Sequence, residues 1–155
     1  MREILFRGKS LNDGNWVYGS LVITTIEPAN GEPTKQYCIE DTTIGVFPNE
    51  FQSGLSEMVL PETVGQFTGI VDKNNKNVFE GDFIGVDQNV KEIFALVSDG
   101  PVIFSRGCFS IGDGSSILHH LDTICDYNGV LRGKVVGNIY DNPDLLKHEE
   151  AQNDS

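Results

Sequence analysis

Apolar and polar side chains alternate along much of this 155-residue chain, in short runs broken by Gly, Asn and Asp. A period of two is the mark of a half-buried strand, and the corners are turn residues. In residues 3–7, Ile4 and Phe6 fall on one face and Glu3, Leu5 and Arg7 on the other, which predicts a strand. Residues 9–15 carry strong turn chemistry, with Asp13-Gly14 able to supply a positive φ. Residues 16–23 read as a second strand and close a hairpin with the first. Residues 27–35, with Pro28, Asn30, Gly31 and Pro33, mark an exposed loop. Short strands are predicted at 37–39 and 42–47, and an irregular stretch with room for a helical turn at 48–57.

The clearest pattern lies between residues 62 and 86. Two apolar segments flank the polar tip Asp72-Lys73-Asn74-Asn75-Lys76-Asn77. Asn tolerates left-handed backbone better than most residues, so the segment predicts a hairpin with strands at 65–71 and 77–80. Gly81-Asp82 reads as a second tight turn or bulge before a strand at 83–87. Residues 92–98 and 101–105 read as strands joined at Asp99-Gly100, with Pro101 at a strand start. Residues 108–111 continue the sheet and Gly112-Asp113-Gly114 ends it. Residues 115–127 predict a helix, because Ile117, Leu118, Leu121, Ile124 and Cys125 recur at helical spacing. Ser115 or Ser116 would cap it and Asn128-Gly129 would end it; a β-meander accommodates the same residues. A strand is predicted at 134–140, then a short helix opened by Asn142 as cap and Pro143 at the first helical position. Residues 1–148 read as one domain, or two β subdomains sharing a core, with a polar tail over 149–155. The fold class is mainly β, built of antiparallel hairpins with one or two short helices near the C-terminus.

Charge narrows the partners. Eleven Lys and Arg stand against 23 Asp and Glu, a formal net charge of −12 at pH 7. Such a surface stays soluble and repels nucleic acid and anionic lipid. A nucleic-acid module would need Arg2, Arg7, Lys9, Arg106, Arg132 and Lys134 gathered on one face; an acidic surface acting as a DNA mimic is the opposite reading. The three cysteines, Cys38, Cys108 and Cys125, are too widely spaced for a C-x-x-C pair. They read as free buried thiols in a reducing compartment. No stretch has the length of a membrane span, and residues 1–7 hold no signal-peptide core, so a cytoplasmic, membrane-free life is expected.

Each chemical constellation has a bland reading that outweighs it. Asp72-x-Asn74-x-Lys76 begins like a calcium loop, but Lys76 replaces a ligand, Asn77 the required Gly and Phe83 the bidentate Glu. A hairpin tip explains it. Gly112-Asp113-Gly114-Ser115-Ser116 lacks the Lys of a phosphate loop and reads as a turn and cap. His119-His120-x-Asp122-x-x-Cys125-Asp126 is the local cluster of possible metal ligands, yet it fits a solvated helix face. Neither a nucleophile elbow nor a compelling Cys–His pair is visible. Trp16, Tyr18, Phe67 and Phe79 can stack on bases, but alternating aromatics in strands more often form core. No catalytic residue, cofactor-binding residue or metal ligand is therefore assigned, and no cofactor is expected. A small hydrolase using scattered carboxylates stays as the minor alternative.

Four ordered segments carry a resemblance. They are residues 1–9, Trp16-Val17-Tyr18-Gly19-Ser20-Leu21, residues 62–82, and Val136-Gly137-Asn138-Ile139-Tyr140-Asp141-Asn142-Pro143-Asp144-Leu145-Leu146. Together they resemble the YopX family of bacteriophage and prophage proteins. The family's tip carries Gly in its Asp-Lys-Asn-Gly-Lys run, where Asn75 stands here. The resemblance implies small barrel-like (SH3-like) β subdomains and life in the cytoplasm of an infected or lysogenic bacterium. It brings no mechanism and no catalytic residues. A non-enzymatic accessory protein that binds another protein, or itself as a homo-oligomer, is the expected function.

Overall fold

The computed structural model describes residues 4–41, 56–93, 97–112 and 119–146. The fold is mainly β, and the chain divides into two compact units, Met1–Gln66 and Phe67–Ser155.

In the first unit, β1 (Phe6–Lys9) and β2 (Trp16–Ile26) form the expected antiparallel hairpin, with Phe6 opposite Gly19 and Lys9 opposite Trp16. Its strand begins later than the predicted 3–7. The turn is pinned by Ser10 N–H donating to the Asn15 carbonyl at 2.9 Å, which keeps Gly8 and Lys9 in the ladder. The Asp13 carboxylate accepts the Asn15 N–H at 2.9 Å, and Gly14 takes φ 73°. That amide, with the Asn15 side chain, holds the Asp13 carboxyl below its ordinary pKa. β3 (Thr34–Glu40) runs antiparallel to β2 from Ser20 opposite Glu40 to Ile26 opposite Thr34. The loop between them is exposed, as its composition implies.

β4 (Ser56–Met58) adds to β3 opposite Cys38, Ile39 and Glu40. This corrects the irregular reading at 56 and 57. Glu57 is anchored by the Ser10 hydroxyl and the Asn12 amide, and the Met58 carbonyl accepts Leu11 N–H at 2.8 Å. The strand predicted at 42–47 and the stretch 48–55 lie outside the described residues. Ile39 and Val59 are fully buried in this unit. β5 (Gly65–Asp72) starts here, with Gly65 and Gln66 opposite Arg7 and Phe6.

In the second unit the rest of β5 pairs antiparallel with β6 (Asn77–Phe79), the hairpin read from the sequence. Asn75 supplies the positive φ at the tip, 62°. Gly81, at φ 84°, turns the chain into β7 (Asp82–Val86). The segment 92–98 does not form the predicted strand. A short helix, α1 (Gln88–Ile93), covers its beginning, 94–96 lie outside the described residues, and 97–99 are irregular. The Asp87 carbonyl accepts the N–H groups of Val90 and Lys91, and Val90 is wholly buried, so the helix is anchored one turn before the predicted strand and carries residues 92 and 93 with it.

Asp99-Gly100 is accordingly not a hairpin turn. Asp99 Oδ1 accepts Val86 N–H at 2.7 Å, and Gly100 stands opposite Ile84 as β8 (Gly100–Ser105) pairs with β7. β9 (Cys108–Ile111) follows, paired with β8.

The predicted helix at 115–127 is also corrected. Residues 115–118 lie outside the described residues. His119 and His120 form strand β10 against β9, and Leu121–Ile124 make one 3-10 turn. Leu121 and Ile124, three apart and both buried, need only that single turn to point inward. Asn128 and Gly129 sit in a loop closed by Asp126, whose Oδ1 accepts Asn128 and Val130 N–H groups.

β11 (Val130–Leu131) runs parallel to β5, and β12 (Gly133–Asn138) antiparallel to β7 with a bulge between Val135 and Gly137. A helical turn at 144–146 follows, as predicted. Asn142 contributes its carbonyl to Leu145 N–H, while its side-chain oxygen turns back to Asn138 N–H. The five-stranded sheet has the order β10-β9-β8-β7-β12 and is open, not closed into a barrel. Its core gathers Val78, Ile84, Val86, Val90, Val102 and Leu131 with Ile111, Leu121 and Ile124.

Candidate interaction surface

β2 is the longest strand described, with 11 residues, and its far half extends past β1. β1 accompanies it only as far as Gly19. β4 accompanies β3 only from Glu40 to Cys38. Among the described residues, the remainder of β2 and β3 is a two-stranded ribbon. Alternation puts Val22, Thr24 and Ile26 on one face and Leu21, Ile23 and Thr25 on the other. Val22, Ile23 and Ile26 are exposed at 37%, 51% and 39%. No charged residue occurs anywhere in Trp16–Ile26, and β3 brings only Lys35 to the ribbon. An isolated two-stranded ribbon is marginal in water, and an open strand edge is a template for another strand.

Gly19 lets the ribbon leave the hairpin. A Cβ built there would lie 1.9 Å from the Glu40 carbonyl oxygen, so no other residue fits without moving the backbone.

Two basic residues of the first unit, Arg7 and Lys9, are drawn into packing, whereas Lys35 is exposed. The Arg7 guanidinium carbon lies 4.5 Å from the centre of the Trp16 ring and the Lys9 ammonium 5.5 Å. Both are cation–π contacts, and Arg7 is buried. In the second unit, Arg106 occupies an exposed turn at φ 53°, and Arg132 and Lys134 are exposed. Arg2 lies outside the described residues. Phe67 and Phe79 face each other in the core, ring centres 5.5 Å apart, while Tyr18 is exposed.

The suspected calcium tip is a turn organised by its own carboxylate. Asp72 is buried; its Oδ1 accepts Asn74 and Lys76 N–H groups at 2.8 and 2.9 Å, and its Oδ2 accepts Val135 N–H at 2.9 Å. The His119–Asp126 cluster is distributed over a strand and a turn. Among the described residues, no three His, Cys, Asp or Glu side chains are grouped as a metal ion needs.

Cys125 donates to the Leu121 carbonyl at 3.2 Å. Burial, then the charges of Asp122 and Asp126, push its thiol pKa up against the opposing effect of Arg132. All three cysteines are free and half-buried rather than fully buried.

Sequence reasoning missed one pairing, that of His120 with Cys108: Nε2 and Sγ lie 3.9 Å apart. Twelve residues separate them, and only the β9–β10 register brings them together. Among the described residues no helix is long and apolar enough to cross a membrane.

These features define a class, a small mainly β protein in two units whose distinguishing surface is a two-stranded ribbon with one uncharged strand, β2. The chain belongs to the YopX family, whose model, described as YopX protein, matches residues 5–147. No curated protein matches it.

Proposed function

We propose that this chain is a non-enzymatic phage or prophage accessory protein that works in the host cytoplasm by binding protein, and that a second copy of the chain occupies its ribbon. The observation that carries the reading is the exposed, charge-free stretch of β2 in a protein of net charge −12. Two such acidic molecules repel, so a lasting contact between them needs a surface free of acid. The edge of β2 beyond Gly19 meets that need, and antiparallel pairing about a two-fold axis is self-complementary. Centred on Ile23, it sets Ile23 against its own copy, Val22 against Thr24 and Ser20 against Ile26. β-Branched cross-strand pairs of this kind stabilise sheets by roughly 0.2–1 kcal/mol each.

The rival readings draw less support. Arg7 and Lys9 are committed to Trp16, which weighs against a nucleic-acid face in the first unit. The buried carboxylate of Asp72 accepts backbone amides, which suits a structural part better than a hydrolytic one.

Light scattering on the purified chain and on the double variant Ile23→Lys/Ile26→Lys tests the proposal. The expected result is a dimer whose affinity falls roughly 100-fold in the variant, from like charges brought face to face at position 23 and a charge set opposite Ser20 at position 26, with an unchanged circular dichroism spectrum. A wild-type monomer, or a variant that dimerises equally well, overturns the second copy as occupant. If that monomer retains a host protein that the variant loses, protein binding stands with a different occupant. If it retains none, protein binding falls too.

A further inference from the structure

The β8–β9 hairpin turns through Arg106 and Gly107, both at positive φ, 53° and 84°. That two-residue turn places Cys108 at the first position of β9, opposite Ser105. On the other side of β9, β10 sets His120 opposite Ser110. In an antiparallel ladder the diagonal neighbour two residues away lies on the same face. Cys108, Ser110 and His120 therefore share one face of the sheet. Cys108 donates its thiol proton to the Ser105 carbonyl at 3.3 Å, and its Sγ lies 3.9 Å from His120 Nε2 and 3.8 Å from Ser110 Oγ, so a turn about the Cβ–Sγ bond brings the proton to the imidazole. The thiol is half-buried and the imidazole exposed, on an edge strand that solvent reaches. A nucleophile, a base to take its proton and a hydroxyl to donate to the resulting thiolate thus meet at the rim of a sheet.

We propose that Cys108, with His120 as its base, is a thiol-exchange site that takes up low-molecular-weight disulfides. His120 Nε2 receives the thiol proton. The Cys108 thiolate attacks one sulfur of the incoming disulfide, and the new S–S bond forms as the old one breaks. The departing thiolate carries away the electron pair and is protonated by the imidazolium, which leaves His120 neutral. Cys108 sulfur is oxidised, the leaving sulfur is reduced, and the product is a mixed disulfide on Cys108. A proton acceptor within reach of a thiol is what separates reactive cysteines from inert ones. The other two thiols lie in different settings. Cys125 lies beside two acidic side chains, Asp122 and Asp126, which together with burial hold its thiol in the protonated form, and Cys38 lies within β3, opposite Val22 and Met58.

The test uses the whole chain with limiting 4,4′-dithiodipyridine, and then oxidised glutathione, at neutral pH. Peptide mapping by mass spectrometry follows each cysteine separately in the wild type, so it needs no variant. Cys108 is expected to react at least roughly tenfold faster than Cys38 and Cys125. His120→Gln is expected to lower the Cys108 rate by about tenfold while leaving the rates of Cys38 and Cys125 unchanged. Equal rates at the three thiols overturn the site, and so does a Cys108 rate that His120→Gln leaves intact.

Discussion

Asp72 closes one strand of a hairpin, yet its carboxylate holds three separate backbone amides. Two belong to its own turn and one to Val135, 63 residues further along. Hydrogen bonds to an ionised group contribute about 1.5–3 kcal/mol each, and a buried donor left without a partner costs about 1–3 kcal/mol. Asp72→Ala is therefore expected to destabilise the protein by roughly 2–4 kcal/mol, since the exposed tip amides regain water. Asp72→Asn, which keeps one acceptor oxygen, is expected to cost less. Urea denaturation of the three proteins checks the order.

From sequence alone this residue stood at the head of a failed calcium loop. The turn was legible because Asn74-Asn75 announced it. The link to Val135 was not, because no local pattern encodes which distant strand will present its N–H. The same limit hid the pairing of Cys108 with His120. Contiguity made His119, His120 and Asp122 look like a cluster, whereas strand register decides which side chains meet.

At the level of elements, the hairpins were readable wherever a corner residue and a period of two agreed. β1 with β2, and β5 with β6, show both signals. The two misread segments show where such reading loses force. Leu121 and Ile124 are spaced three apart, which an α-helix and a single 3-10 turn satisfy equally. In the segment read as a strand at 92–98, residues 92 and 93 instead finish α1, which Val90, outside that segment, ties to the core.

Gly19 marks the point where β1 stops accompanying β2. With 1.9 Å between an added Cβ and the Glu40 carbonyl oxygen, Gly19→Ala must push β2 and β3 apart. Overpacking of this kind costs about 1–3 kcal/mol. Thermal denaturation should show the loss; a variant as stable as wild type would mean that the strands separate there at little cost.

For the molecule as a whole, net charge governs how copies meet. A formal charge of −12 makes every approach of two copies unfavourable at low ionic strength. The Debye length shrinks from about 30 Å at 0.01 M salt to about 3 Å at 1 M. If the ribbon is the contact, added sodium chloride is expected to tighten the dimer several-fold across that range, in the direction opposite to an interface built of ion pairs. Sedimentation velocity at both ends of the range measures it. Weakening by salt would point to charge pairing, and hence away from β2. Acidity and turn content were legible in composition. The ribbon was not, because the pattern of β2 gives no sign of where β1 and β4 stop.

The link between Asp72 and Val135 also bears on the order in which a ribosome delivers the chain. Val130 and Leu131, the parallel partners of Val71 and Asp72, and Gly133–Asn138, the neighbour of β7, are among the last described parts of the polypeptide to be made. Until they emerge, β7 waits with one side bare. A nascent chain stalled before that point presents an unfinished edge to its neighbours on a crowded polysome, so the second unit matures only once residues 130–138 have left the ribosome.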